Sequence, residues 1–162
     1  MLSPSTIKVL WAQDKCARLR RCLSLQMGLD TEEAAEVEVD AFHILCCLAK
    51  AGYRAWHRGA VAHKLVAVVW MLAFKINNDE GFDNVVHHVR TVFYNFYPDC
   101  KHNTITSLCR QEVSILLKLQ WRCMKHHVQC EDSKCRSCVL RSALDFTYSG
   151  PRAKRQTKQR VK

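Results

Sequence analysis

The feature that most constrains this chain is an uninterrupted apolar run at residues 65–74, bounded by Lys64 and Lys75. Ten apolar residues are too few to cross a bilayer, which takes roughly 20 in helical form. A helix that is apolar on all sides belongs instead at the centre of a folded core. We therefore expect a buried helix from about residue 60 to residue 75, and no membrane partner.

Apolar residues recur at helical spacing on both sides of this run, and no stretch shows the alternation of a strand. The pattern predicts an N-terminal helix within residues 1–30 and a second helix from a capping Asp30 to about Gly52. Pro98 is expected to end the fourth helix, and Asn103 to cap the fifth. The predicted fold class is all-α, a five-helix bundle around a buried third helix.

Charge divides the 162-residue chain into a mildly basic domain and a strongly basic tail. The formal net charge is +10, but six of the 25 lysines and arginines lie in a tail without acids. These tail residues are Arg152, Lys154, Arg155, Lys158, Arg160 and Lys162. We expect the tail, residues 150–162, to be disordered. It would act as a nuclear-import signal, as a loose nucleic-acid contact, or only as a solubilising segment.

The chain contains ten cysteines, whose placement bears on the redox compartment of the protein. The N-terminus shows no charged segment followed by an apolar stretch, so no secretory signal is visible. Cys22, Cys46 and Cys109 fall at positions on apolar helix faces, where a free thiol packs as a small hydrophobic group. A reducing compartment is therefore expected, which means nuclear or cytoplasmic localisation or both.

A cysteine- and histidine-rich extension, residues 125–149, follows the helical domain of residues 31–124. A C-x-x-H pair and a C-x-x-C pair can supply four ligands to one structural zinc ion. The proposed ligands are Cys123, His126, Cys135 and Cys138. His127 and Cys130 are competing ligands, so the set stays open. The alternative interpretation is that these are reduced cysteines in a helical extension.

Two charges occupy unusual places in this pattern, Lys75 at the end of the buried helix and Glu112 on the apolar face of the fifth. Such charges are costly to bury unless they meet each other or a partner. The ordinary alternative is that the lysine stem extends outward to water and the glutamate lies at a helix edge.

The helices that carry these charges resemble two parts of a cyclin box. Residues 63–75 resemble its third helix, where a K-L-x-V start and an L-A-S-K end are typical, although Phe74 replaces the serine. Residues 108–121 resemble its fifth helix, whose pattern is roughly L-x-x-E-x-x-x-L-x-x-L-x-aromatic. The spacing from Lys75 to Glu112 is longer than usual, and no second box follows. A single box is similar to viral or divergent cyclins and to the Speedy/RINGO kinase activators.

In that family, the lysine and the glutamate bind a kinase near its mobile helix and activation segment. The resemblance implies that Lys75 and Glu112 bind a protein kinase of the cyclin-dependent type. The apolar neighbours implied on this surface are Leu72, Ile76, Leu116 and Trp121. Such a protein performs no chemistry itself, because it modulates the kinase by binding one of its conformations preferentially.

A second hypothesis is a small zinc-containing regulatory protein that binds nucleic acid, with the Cys/His segment and the basic tail as its active parts. The modest charge outside the tail counts against it, as does the lack of a basic patch interleaved with aromatic residues. An enzyme is not expected, because no Gly-rich phosphate loop, nucleophile elbow or paired-carboxylate motif is present.

Overall fold

A computed structural model describes residues 2–55, 58–78 and 84–120, and this part of the chain contains six α-helices and no strand. The helices are α1 (Pro4–Ala12), α2 (Asp14–Gln26), α3 (Thr31–Lys50), α4 (Gly59–Asn77), α5 (Val85–Phe96) and α6 (Ile105–Lys118). Contacts divide the chain into two units, Met1–Met124 and Lys125–Lys162. The described residues all belong to the first unit. The prediction of an all-α fold is confirmed for them.

The N-terminal segment forms two helices, whereas the sequence predicted one. The Ser3 side chain accepts a hydrogen bond from the Thr6 N–H and so caps α1. The chain then leaves the helical conformation at Gln13, where ψ is 134°, and α2 begins at the next residue. Neither glycine nor proline marks this break, so periodicity alone could not locate it. Both helices contact the rest of the bundle, α1 packing on α3 and α2 on α4 and α5.

The predicted buried helix is confirmed as α4. All thirteen residues from position 62 to position 74 are buried, and α4 packs against α2, α3, α5 and α6. The rings of Trp70 and Phe74 stack one turn apart, with their centroids separated by 5.6 Å. Burial on every side is why this helix carries no polar face.

Helix α4 is longer than the ten-residue apolar run within it. The helix spans 19 residues, so its length and composition alone would allow it to cross a membrane, yet 72% of its most apolar window is buried inside the bundle. The core helix of a soluble protein can have the same length and composition, so these two properties are weak evidence for a membrane span. The absence of a membrane partner therefore stays a prediction.

Several predicted helix ends are confirmed. The Asp30 side chain accepts a hydrogen bond of 2.8 Å from the Glu33 N–H at the start of α3. Gly52 lies just beyond the end of α3 with φ at +77°, a left-handed conformation that glycine adopts without steric cost. The last residue of α5 is Phe96, and Pro98 follows two positions later.

The start of α6 differs from its prediction. The capping residue is Thr104, whose hydroxyl accepts from the Ser107 N–H at 3.1 Å, and not Asn103. Asn103 is buried, and its amide donates to the carbonyl oxygens of Tyr97 and Pro98. It therefore stabilises the turn before α6, while the threonine one residue later satisfies the helix N-terminus.

Six cysteines lie in the described part of the chain, and all are free thiols. Cys16 is buried, Cys22 and Cys46 are half-buried, and Cys109 is exposed. The placement of Cys109 on an apolar face was therefore wrong. The side of α6 that packs in the core carries Leu108 and two apolar residues further along, and Cys109 lies outside it.

Candidate functional site

Lys75 and Glu112 meet where α4 and α6 pack side by side. The Lys75 Nζ lies 2.9 Å from Glu112 Oε1 and 3.0 Å from Oε2. The lysine side chain is 38% exposed and that of the glutamate 16%, so solvent reaches both. Lys75 is in the last turn of α4, where a cation also interacts favourably with the helix dipole. The pair is one that the sequence singled out.

This ion pair retains unused hydrogen-bonding capacity. An ammonium group has three N–H donors and a carboxylate has about four acceptor sites, and the bonds between Lys75 and Glu112 use only part of them. A docking partner could therefore accept from Lys75 and donate to Glu112 without separating them. The mutual bonds hold both side chains in one geometry before a partner arrives.

The apolar residues expected beside the pair divide into three groups. Leu72 and Leu116 are buried, with exposures of 1% and 5%. They belong to the core and offer almost no area to a partner in this arrangement. Ile76 is half-buried and adjoins Lys75 at the surface. Trp121 lies outside the described residues.

The opposite end of α4 carries a second lysine, whose environment the sequence did not reveal. Lys64 is only 8% exposed, and its Nζ donates to the Ser107 hydroxyl at 2.5 Å. Among the described residues, no carboxylate lies within 4.0 Å of this ammonium group. Burial lowers the pKa of Lys64, and the nearby Cys100 side chain opposes this only in part.

A third cation, Arg20, joins α1, α2 and α3. It is 7% exposed, donates to both carboxylate oxygens of Glu38 at 2.9 and 3.2 Å, and donates to the Trp11 carbonyl at 2.8 Å. Its guanidinium also stacks on the Trp11 ring. Burial raises the pKa of Glu38 despite the nearby arginine. With its partners inside the bundle, this group is structural.

His63, next to Lys64, links α4 to the residues that follow α1 and α5. Its Nε2 lies 2.7 Å from Gln13 Oε1, and its Nδ1 is hydrogen-bonded to the Tyr97 hydroxyl. A neutral imidazole fits both bonds, because Nε2–H donates to the amide oxygen while Nδ1 accepts from the phenol. Burial lowers the pKa of His63, and the nearby Lys15 lowers it further.

Two predicted sites lie outside the described residues: the zinc ligands Cys123, His126, Cys135 and Cys138, and the six basic residues of the tail. Within the described ranges, no group of three or more histidine, cysteine or acidic side chains could hold a metal ion. Zinc and nucleic-acid binding by these segments stay predictions.

Fold and site together define an all-α bundle with an ion pair across the α4–α6 packing. Comparison of the chain with protein-family models, with curated proteins and with solved structures found no match. The resemblance to a cyclin box therefore depends on the residues of the chain themselves.

Proposed function

We propose that this protein is a cyclin-like regulatory subunit that binds a protein kinase of the cyclin-dependent type through Lys75 and Glu112. The protein contributes no catalytic group. It holds the mobile helix and activation segment of the kinase in one arrangement, and preferential binding shifts the kinase population toward that arrangement.

The observation that supports this proposal is the position of the ion pair. The resemblance to a cyclin box implies a binding role for a lysine and a glutamate that are 37 positions apart in the sequence. The lysine Nζ and the glutamate Oε1 lie 2.9 Å from each other at the surface between α4 and α6. A partner that contacts one of them must therefore lie beside the other. Ile76, the next residue after Lys75, is half-buried and supplies some apolar area, which interfaces need around polar anchors.

A purely structural role for the pair is the competing interpretation. Ion pairs at the protein surface contribute about 0.2–1 kcal/mol to folding, so the pair would serve only to hold two helices together. A small contribution to stability has a practical benefit, because either residue can be replaced without unfolding the protein. Binding and folding can therefore be measured separately.

The test uses the full chain to capture cyclin-dependent kinases from a lysate, followed by titration with the purified kinase. We expect Lys75→Ala and Glu112→Ala to weaken binding at least about tenfold, because truncation leaves a desolvated group of the interface without its partner. Thermal unfolding of each variant should change only slightly. Arg18→Ala is the matched control, since Arg18 forms an exposed ion pair with Asp14 on α2.

The exchanged double variant, Lys75→Glu with Glu112→Lys, separates the two roles. A purely structural pair would recover binding and most of the stability, because the ion pair can re-form with its charges exchanged, although the favourable interaction of Lys75 with the dipole of α4 is lost. A kinase-binding pair would recover stability only, since the kinase would face the wrong charge at each position. Undiminished binding by the exchanged variant, or by both alanine variants, would contradict the proposal.

A further inference from the structure

A cavity of about 460 Å³ opens where the start of α6 faces the start of α4. Its described lining includes four basic side chains: Lys64, Lys101, His102 and Arg110. The remaining described lining residues carry hydroxyl, phenol or amide groups, and none is acidic. We call this cavity the cationic pocket. A concentration of one charge sign in a concave site attracts ligands of the opposite sign.

Lys64 makes the cationic pocket more than a patch of surface lysines. Lys64 is 8% exposed as a residue, and the Ser107 hydroxyl at 2.5 Å accounts for one of the three donors of its ammonium group. Burial of a cation without a carboxylate is costly, and the lowered pKa of Lys64 reflects that cost. A bound anion would remove this free-energy cost, because it would accept hydrogen bonds from the Lys64 ammonium and supply the opposite charge.

The N-terminus of α6 adds donors to the same pocket. Thr104, Thr106 and Ser107 from this helix start all line it. The Thr104 hydroxyl already accepts from the Ser107 N–H, but the preceding N–H groups of the first turn have no partner within the helix. A helix N-terminus with free N–H groups favours phosphate-like anions. Lys64 and the helix start thus both provide donors to one anion site.

An adjoining groove of about 640 Å³ indicates what carries the anion. It shares Tyr53, Arg110 and Ser114 with the cationic pocket. Beyond them, it is lined by Gly52, by two further basic residues, Arg54 and Lys118, and by two apolar residues of α6, Val113 and Leu117. Val113 and Leu117 are 51% and 63% exposed. An anion attached to an apolar side chain would fill both cavities. A peptide fits this better than single-stranded nucleic acid, which usually stacks its bases on several aromatic side chains.

The geometry points to a docking site for a phosphoserine- or phosphothreonine-containing segment of a partner protein. Its phosphate monoester lies in the cationic pocket, bound by Lys64, Arg110 and the N-terminus of α6. A neighbouring apolar side chain of the same segment lies on Val113 and Leu117. This site is independent of Lys75 and Glu112, so it can be tested whether or not a kinase binds.

The experiment measures fluorescence anisotropy of a labelled peptide that contains one phosphoserine with a leucine two positions away. The full chain is the binding protein, and the unphosphorylated peptide is the comparison. We expect the phosphopeptide to bind at least tenfold more tightly. Lys64→Met should remove this preference while keeping an unbranched side chain of similar shape. Arg110→Met should weaken it without disturbing the core, because Arg110 is exposed.

Lys8→Met is the matched control, because it removes one positive charge from an exposed position on α1. The basic tail is present in every variant, so its contribution to peptide binding cancels. Equal affinity for the two peptides would overturn the proposal, as would full phosphopeptide binding by both Lys64→Met and Arg110→Met. Binding of a single-stranded RNA that Lys64→Met abolishes, with no phosphopeptide binding, would also overturn it and assign the pocket to nucleic acid.

Discussion

The two lysines that bound the same apolar run have opposite environments in the fold. Lys75 reaches the Glu112 carboxylate at 2.9 Å and remains 38% exposed. Lys64 is 8% exposed, and among the described residues it reaches only the Ser107 hydroxyl. The lysine charge at the Lys75 end of the α4–α6 packing is neutralised by a carboxylate, whereas the lysine charge at the Lys64 end has no carboxylate partner among the described residues. The chain therefore tolerates an uncompensated cation in the described structure where an acidic residue on α6 could have been its partner.

This difference indicates which end is built for stability and which for a ligand. A neutralised pair stabilises the folded state without a partner, whereas a buried cation beside a hydroxyl stabilises it less than an apolar residue would. Costly local arrangements persist where they serve binding. The comparison thus predicts that the two lysines contribute to stability with opposite signs.

The largest effect should come from the core between the two ends. Trp70 is fully buried near the middle of α4 and stacks on Phe74. We expect Trp70→Ala to lower the free energy of unfolding by about 3–5 kcal/mol, through lost transfer energy and the cavity left behind. Urea unfolding followed by circular dichroism measures this change.

Val61 provides the control on the same helix, because it is 43% exposed. Val61→Ala should alter stability by less than about 0.5 kcal/mol. Similar small losses in both variants would mean that α4 is not the centre of the core. The two ends of the helix could then not be compared against a common packed core.

Replacing each lysine with methionine compares the signs of their contributions to the free energy of unfolding. Lys75→Met should destabilise the protein by about 0.2–1 kcal/mol, because it removes an ion pair at the surface. Lys64→Met should cause no loss and a gain on the order of 1 kcal/mol or less, because a buried cation without a carboxylate is replaced by an apolar side chain. Chemical unfolding of both variants in phosphate-free buffer gives the comparison.

A clear loss of stability in Lys64→Met would reverse this conclusion. It would show that the bond from Lys64 to the Ser107 hydroxyl outweighs the cost of burying the charge. Ser107→Ala then locates the effect, since it removes the acceptor and keeps the lysine. A gain in Lys64→Met that phosphate abolishes by stabilising only the wild type would instead support the cationic pocket as an anion site.

The sequence predicted the features that depend on local patterns. The ten-residue apolar run specified α4, and the charges of Lys75 and Glu112 stood out against their apolar surroundings. The environment of Lys64 depends on how α6 approaches α4, and no periodicity contains that information. The break at Gln13 is similar, because that side chain accepts a hydrogen bond from His63, 50 positions away. Both residues make tertiary contacts that no local sequence pattern contains.

The smallest predicted effect concerns pH, and it also arises at the Lys64 end of α4. Burial, with help from Lys15, lowers the pKa of the neighbouring His63 below 6.5, its value in the unfolded chain. Below pH 6.5 the unfolded state therefore binds a proton more readily than the folded state does, so the free energy of unfolding falls as the solution is acidified. The groups that face His63 are Lys15, Gln13 and Tyr97.

Unfolding measured between pH 7 and pH 5 should show this loss in the wild type and less of it in His63→Gln. His87→Gln is the matched control, because His87 is exposed on α5. Glutamine keeps a hydrogen-bonding side chain toward Gln13 and Tyr97 but cannot be protonated in this range. An equal slope in the wild type and in His63→Gln would assign the acid sensitivity to other groups. The burial cost at this end of α4 would then belong to Lys64 alone, which sharpens its contrast with Lys75.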